Sequence, residues 1–457
     1  MGMRGKRLLA GVPVLILVGF LGSVAEAQTT EPLQWSVKQA IGYALVHSPD
    51  VAVAHSRIAE KEEAKGEVFS NFLPDLSIDA GYRYLDNIPR IETNIQMDSP
   101  IPGAPPIVLQ DVRDIGANDN WLARLSLNQL LFASGRVYYA HRAAGKQVEA
   151  SRQEEETTKL GVARQTAQAY LSVLIADAVS DVQREALVTA QAHLEQVQNR
   201  YDAGVVNRLE LLRAQIEVSN VEPRVIEAEQ GIETAFILLR RAAGLGREVE
   251  IELTDSLEAE VEPIDEEKEL EQARAMRPEF KVLEYSQSAT EDLALSERGG
   301  MLPMMQLTST FGYEKPYFAI NEWEQVFTVG VGIQVPLFDG LESYRGMRRA
   351  RAAAETITLA TVQTHANVRT EVRTAVLALR EAAVRMKATA DNKGRADEML
   401  EIAEHSYGAG AATNVEVIDA QLAATTARLE HLKALYDYRN AQIHLTAATG
   451  DLTSIGR

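Results

Sequence analysis

Among the residues whose types could do chemistry, Glu416 and Asp419 are two carboxylates close together on one stretch. Carboxylates three positions apart share one face of a helix. On a long helix the same pair is also an ordinary solvated acidic face. Other chemistry finds less material. The eight histidines are scattered, with no metal-ligand spacing such as HExxH. The chain has no cysteine, hence no disulfide, thiolate ligand or thiol nucleophile. No glycine-rich phosphate loop follows a strand pattern. An enzyme, a resident metal or any other cofactor is therefore not expected. The formal net charge of −19 argues against nucleic acid as a partner.

Glu416 lies in a stretch that occurs twice. Tyr407-Gly408-Ala409-Gly410 repeats Tyr201-Asp202-Ala203-Gly204 at an offset of 206 residues. Glu210, Ala214 and Gln215 recur as Glu416, Ala420 and Gln421, and the same offset carries Leu131-Phe132 onto Leu337-Phe338 and Gly244 onto Gly450. Asp419, by contrast, is matched by Arg213, so only one of the two acids is duplicated. A register held over more than a hundred residues marks a tandem duplication, each half a structural unit. Each Tyr-x-Ala-Gly lies between long helical patterns, and glycine tolerates the left-handed turn, so both motifs are expected to be tips of helical hairpins. A plain helix C-cap is the simpler reading of either copy alone.

The elements around the tips follow from periodicity. Residues 1–27 carry the marks of a secretory signal peptide: Arg4, Lys6 and Arg7, an apolar stretch from Leu8 to Leu21, and Ala25-Glu26-Ala27 as a cleavage site. A first repeat is expected over 28–247 and a second over 267–457, joined by an acidic segment, 248–266, with Val249, Ile251 and Leu253 as a short strand. Each repeat opens on a helical pattern, about 33–72 and 267–300, broken at Pro49 and at Pro278. Apolar residues then alternate over about 74–85 (Leu76, Ile78, Ala80, Tyr82, Tyr84), 121–131 (Trp121, Ala123, Leu125, Leu127), 304–313 (Leu307, Phe311, Tyr313) and 326–337 (Phe327, Val329, Val331, Ile333, Val335). Period two over about ten residues is a strand with one apolar face, and about ten residues is what a tilted strand needs to cross a bilayer. Residues 86–120 are expected to form a long loop, and 315–324 a short one.

After each pair of strands the period becomes helical. No proline occurs from 136 to 202 or from 341 to the end, and about 65 helical residues span roughly 100 Å. Leu187, Ala190, Leu194, Val197 and Tyr201 alternate spacings of three and four, a coiled-coil seam. Returning helices are expected at 207–243 and 413–449. Four strands cannot close a barrel and lipid forbids open edges, so several chains must contribute, and three would supply twelve strands. The expected fold class is thus an α+β membrane protein: a trimeric 12-stranded β-barrel continued by a long α-helical barrel.

This order of elements, the exits Leu131-Phe132-Ala133-Ser134-Gly135 and Leu337-Phe338-Asp339-Gly340, and both tip motifs resemble the outer-membrane efflux proteins, the TolC family. The resemblance covers essentially the whole mature chain. It implies a homotrimeric channel-tunnel in outer-membrane lipid, working with a periplasmic adaptor (membrane fusion) protein and an inner-membrane pump. It implies adaptor docking at the tips 201–208 and 407–414, through Tyr201, Ala203, Gly204, Arg208, Ala409, Gly410 and Asn414. It implies that Glu416 and Asp419 line the periplasmic constriction as rings of carboxylates, with Tyr407 as a closing contact. A purely periplasmic coiled-coil adaptor or scaffold is the alternative that the residues leave open. The cargo and the pump's energy source are not written in the residues.

Overall fold

The computed structural model describes residues 33–246, 249, 251–318, 320–452, 454 and 455. The expected leader, 1–27, lies outside them. The first repeat runs β1 (Leu33–Trp35), α1 (Val37–His47), α2 (Pro49–Ser70), β2 (Asp75–Tyr84), β3 (Arg90–Met97), β4 (Ile107–Asp114), β5 (Asp119–Phe132), α3 (Arg136–Asp202) and α4 (Arg208–Ala243). The second runs β6 (Ile251–Leu253), α5 (Glu266–Met276), α6 (Pro278–Gly299), β7 (Met304–Lys315), β8 (Glu324–Gln334), α7 (Glu342–Gly408) and α8 (Asn414–Thr449). The helix breaks fall at the prolines. Ser48 and Arg277 are held extended by the proline that follows, and Pro49 and Pro278 then open the next helix, where no N–H is needed.

α3 and α7 are each 67 residues long and α4 and α8 each 36. At 1.5 Å per residue the long helices reach about 100 Å. Nearer the strands the helices lie in the order α2, α3, α6, α7; nearer the tips the order is α4, α3, α8, α7. α4 and α7 therefore end the row at the tips, and both show apolar residues to solvent: Leu209, Leu212, Ile216, Ile226 and Ile237 on α4, and Leu359, Val362, Leu377, Val384 and Ile402 on α7. No helix among the described residues is long and apolar enough to cross a membrane.

The four alternating segments form one antiparallel sheet, ordered β2-β5-β7-β8. Its register sorts the side chains by face. Ile78, Leu125, Phe311 and Phe327 make one cross-strand row, and Leu76, Leu127, Ser309 and Val329 the next. On the opposite face Ser77, Ser126, Thr310 and Thr328 pair across, beside Asp75, Asn128 and Thr308. Tyr82 and Trp121 pack at 4.6 Å near the end away from the helices. One face is an apolar band broken only by small polar Ser309 within these rows, and the other is mainly polar, as a barrel strand between lipid and lumen requires. β2 and β8 are unpaired edges among the described residues.

Two corrections concern strands. Residues 86–120 are not a plain loop but hold the hairpin β3–β4, paired from Arg90↔Asp114 to Met97↔Ile107. The first helical segment begins with β1, which pairs parallel with β6, Leu33↔Ile251 to Trp35↔Leu253. Three residues are too short to show a period. The segment between the repeats is fastened by two buried tyrosines. Tyr170 Oη accepts from the Asp255 N–H at 3.4 Å while donating to the Trp35 carbonyl of β1 at 2.8 Å, and Tyr438 donates to the Glu260 carbonyl at 3.1 Å. Nearer the sheet, Asp292 on α6 is almost fully buried and takes a bidentate contact from Arg142 on α3. Removing Arg142 would strand the buried Asp292 carboxylate. At each strand-to-helix exit two successive residues are left-handed: Ser134 (φ 49°) and Gly135 (φ 84°), then Gly340 (φ 69°) and Leu341 (φ 69°).

Candidate site at the helical tips

Both tips are built by the same backbone device. Gly204 N–H reaches the Tyr201 carbonyl at 2.9 Å and Val205 N–H the Arg200 carbonyl at 2.9 Å. Gly410 N–H reaches Tyr407 at 3.0 Å and Ala411 N–H reaches Ser406 at 2.8 Å. This double bond pattern is the Schellman motif, which needs a left-handed residue after the helix. Gly204 (φ 71°) and Gly410 (φ 76°) supply it. Ala203 and Ala409 are the C-cap residues just before them. The expected tips 201–208 and 407–414 thus narrow to turns over 203–207 and 409–413.

The return helices start on side-chain caps. Asn207 Oδ1 accepts from Glu210 N–H at 3.1 Å. Thr413 and Glu416 form a reciprocal capping box: Thr413 Oγ1 accepts from Glu416 N–H at 3.4 Å, and Glu416 Oε2 accepts from Thr413 N–H at 2.6 Å. These donors hold the Glu416 carboxyl below its usual range. A helix start thus accounts for a Glu in both repeats. Asp419 is exposed on the next turn and no cap employs it.

Tyr407 lies at the centre of the joined tips. It is 2% exposed and packs with Val197, Leu211, Ala214 and Val417, while its counterpart Tyr201 is only half-buried at the margin of the same cluster. Burial raises the Tyr407 pKa. The Arg200 guanidinium lies 4.7 Å above its ring and donates to its carbonyl at 2.7 Å. Arg208, by contrast, is exposed, with no hydrogen bond or ion pair found among the described residues. Asn414, its counterpart, is 2% exposed. Asn414 Nδ2 donates to the Glu210 carbonyl at 3.0 Å, and its Oδ1 lies 2.6 Å from His193 Nε2. Because the amide nitrogen is committed to Glu210, Nε2 of His193 carries the proton. The His193 ring meets Tyr407 edge-on at 5.0 Å, and burial lowers its pKa.

The two tips are therefore one unit with a polar lock, Arg200–Tyr407 and His193–Asn414–Glu210, spanning both repeats. His193 and Arg200 escaped sequence reasoning, since their partners lie 221 and 207 positions away. Among the described residues no group of acids and histidines is disposed to hold a metal ion.

The model of the outer membrane efflux protein family matches residues 40–245 and 270–451. The chain is 22% identical over 355 residues to the alkaline protease secretion protein AprF of Pseudomonas aeruginosa, covering 73% of this chain and 70% of that protein. It is 20% identical over 331 residues to the outer membrane efflux protein BepC of Brucella suis, covering 72% of each. The Campylobacter jejuni CmeC outer membrane channel shares the fold at a TM-score of 0.73 and 17% identity, over 97% of this chain and 94% of that one. The Neisseria gonorrhoeae MtrE outer membrane channel in its open state does so at 0.71 and 17%, over 91% and 88%. A periplasmic adaptor finds no support among these relatives, which are named as secretion, efflux and outer-membrane channel proteins. The chain belongs to the outer membrane efflux protein family, with its sheet in the outer membrane and its helices in the periplasm.

Proposed function

We propose that three copies of this chain close a twelve-stranded barrel and, below it, a helical tunnel that serves as the passive outer conduit of an efflux or secretion system. The observation that carries the reading is a sheet with an outward apolar band and two unpaired edges, β2 and β8. In lipid such edges must find partners, and another copy's β8 suits β2 in direction. The row of helices ends in the same way, on α4 and α7 with their exposed apolar residues, so both layers close by the same rotation. Detergent-extracted protein is expected to have the mass of three chains and to conduct in planar bilayers. A water-soluble monomer would end the proposal.

At the tips, the turns around Gly204 and Gly410 form the docking surface for a periplasmic adaptor, with Arg208 its exposed polar member and Asn414 a positioning residue beneath. An inner-membrane pump feeds the tunnel from behind the adaptor. Glu416 and Asp419 on three chains ring the constriction and favour cations there, and Tyr407 sets the gate by fixing where the second tip lies. The test keeps the cap while removing charge: Glu416→Gln retains a capping-box partner. Glu416→Gln with Asp419→Asn is expected to lower cation preference in single-channel recordings. Unchanged selectivity would remove both acids from the gate.

A further inference from the structure

The hairpin β3–β4 leaves the sheet between β2 and β5 at the end farthest from the helices. It forms a separate two-stranded sheet, joined to that ladder by a short irregular neck over 85–89 and 115–118. Leu85 N–H meets the Asn118 carbonyl at 2.8 Å, Asn118 Nδ2 returns to the Leu85 carbonyl at 2.9 Å, and Ile115 N–H meets Pro89 at 2.8 Å. Beyond this base every residue of both strands is exposed in the single chain. The two sides of the ribbon differ. One carries Arg90↔Asp114, Asn94↔Gln110 and Gln96↔Val108. The other is wholly apolar towards its free end, with Ile95↔Leu109 and Met97↔Ile107. A two-stranded ribbon wet on both faces is marginal by itself, so this face needs a cover.

Lipid is a poor cover. The ribbon stands beyond the Tyr82–Trp121 pair that marks the barrel rim, and its apolar side also bears the Asp111–Arg113 ion pair at 2.7 Å. We propose that the cover is the same hairpin of the other two copies, so that three Ile95–Leu109 and Met97–Ile107 faces meet over the mouth as an outer cap. The proposal rests on the trimer proposed above. Its geometry follows from reach: eight residues at 3.3 Å extend about 26 Å, whereas twelve strands tilted about 40° enclose a radius of only about 12 Å. Rotational symmetry presents the same apolar pairs to one another, and the ribbons close an exit that the short β7–β8 turn is too small to cover.

The absence of native cysteine makes the test clean. Met97→Cys and, on the opposite side, Gln96→Cys are introduced singly and treated with a short bismaleimide in detergent and in outer-membrane vesicles. Mass in detergent is measured in parallel. Met97→Cys is expected to give several-fold more linked dimer than Gln96→Cys, and linking is expected to reduce single-channel conductance. Trimeric mass with no preference for Met97→Cys would overturn the cap alone. Met97→Cys that is shielded only in vesicles would overturn it in favour of a lipid-facing hairpin. Loss of the trimer itself would instead strike the earlier proposal.

Discussion

The two tips share a backbone and differ in what it carries. Glycine, C-cap alanine and capping Glu are the same in both, because each solves a problem internal to one hairpin. Where one tip touches the other, the copies have parted. Tyr407 is buried while Tyr201 is at the margin, and Asn414 is locked to His193 while Arg208 faces water. Duplication preserved the turns, and divergence built the joint between them.

Breaking that asymmetry should give unequal penalties. Tyr407→Ala empties the centre of the tip cluster and is expected to cost about 3–5 kcal/mol. Tyr201→Ala, at its edge, is expected to cost about 1 kcal/mol. Hydrogen exchange of the segments around both tips reads the difference, and equal losses would mean the two tyrosines play equivalent parts. Next in size, Asn414→Ala leaves the buried His193 Nε2–H unpaired and removes the bridge to the Glu210 carbonyl, costing about 1–3 kcal/mol. Arg208→Ala is expected to stay within about 0.5 kcal/mol. The glycines should then behave alike. A Cβ on Gly204 meets nothing within 4 Å and one on Gly410 only Arg200 Nη2 at 3.7 Å, so alanine at either costs only the left-handed backbone, about 1–2 kcal/mol.

The smallest effect is one of pH. The ring of His193 is faced by Tyr407 and Asn414, with Arg200 over the tyrosine and Glu404 near enough to draw its pKa up slightly against the larger effect of burial. Its folded pKa is depressed below the usual value of about 6.5. As pH falls below that value, the opened tip takes up a proton that the closed tip refuses, so closure weakens until the folded pKa is passed. Protection at 407–414 is expected to fall as pH drops below about 6.5, and His193→Gln to flatten the profile.

Much of this was legible in the chain itself. Alternation at Leu76–Tyr84 and Phe327–Ile333, the prolines at 49 and 278 and the repeated Tyr-x-Ala-Gly are local signals, and each became the element its period implies. The hairpin β3–β4 was hidden because Glu92, Asp111 and Arg113 interrupt its apolar run and Pro102, Pro105 and Pro106 crowd its turn. His193 and Arg200 were hidden for another reason. On α3 they read as polar positions along a seam, and their roles depend on a helix two hundred residues away. Pro223, a residue that usually stops a helix, lies inside α4, which continues to Ala243 as the expected span 207–243 required.

The paired left-handed residues at the strand exits have a consequence for length. Neither a strand nor a right-handed helix can absorb two mirror-image steps in succession. Each exit keeps one glycine and one ordinary residue, in opposite order, so the stop is retained in both repeats although its sequence is not. It fixes where the long helix begins: α3 starts at Arg136, directly after Gly135, and α7 at Glu342, directly after Leu341, so both 67-residue helices are counted from the same stop.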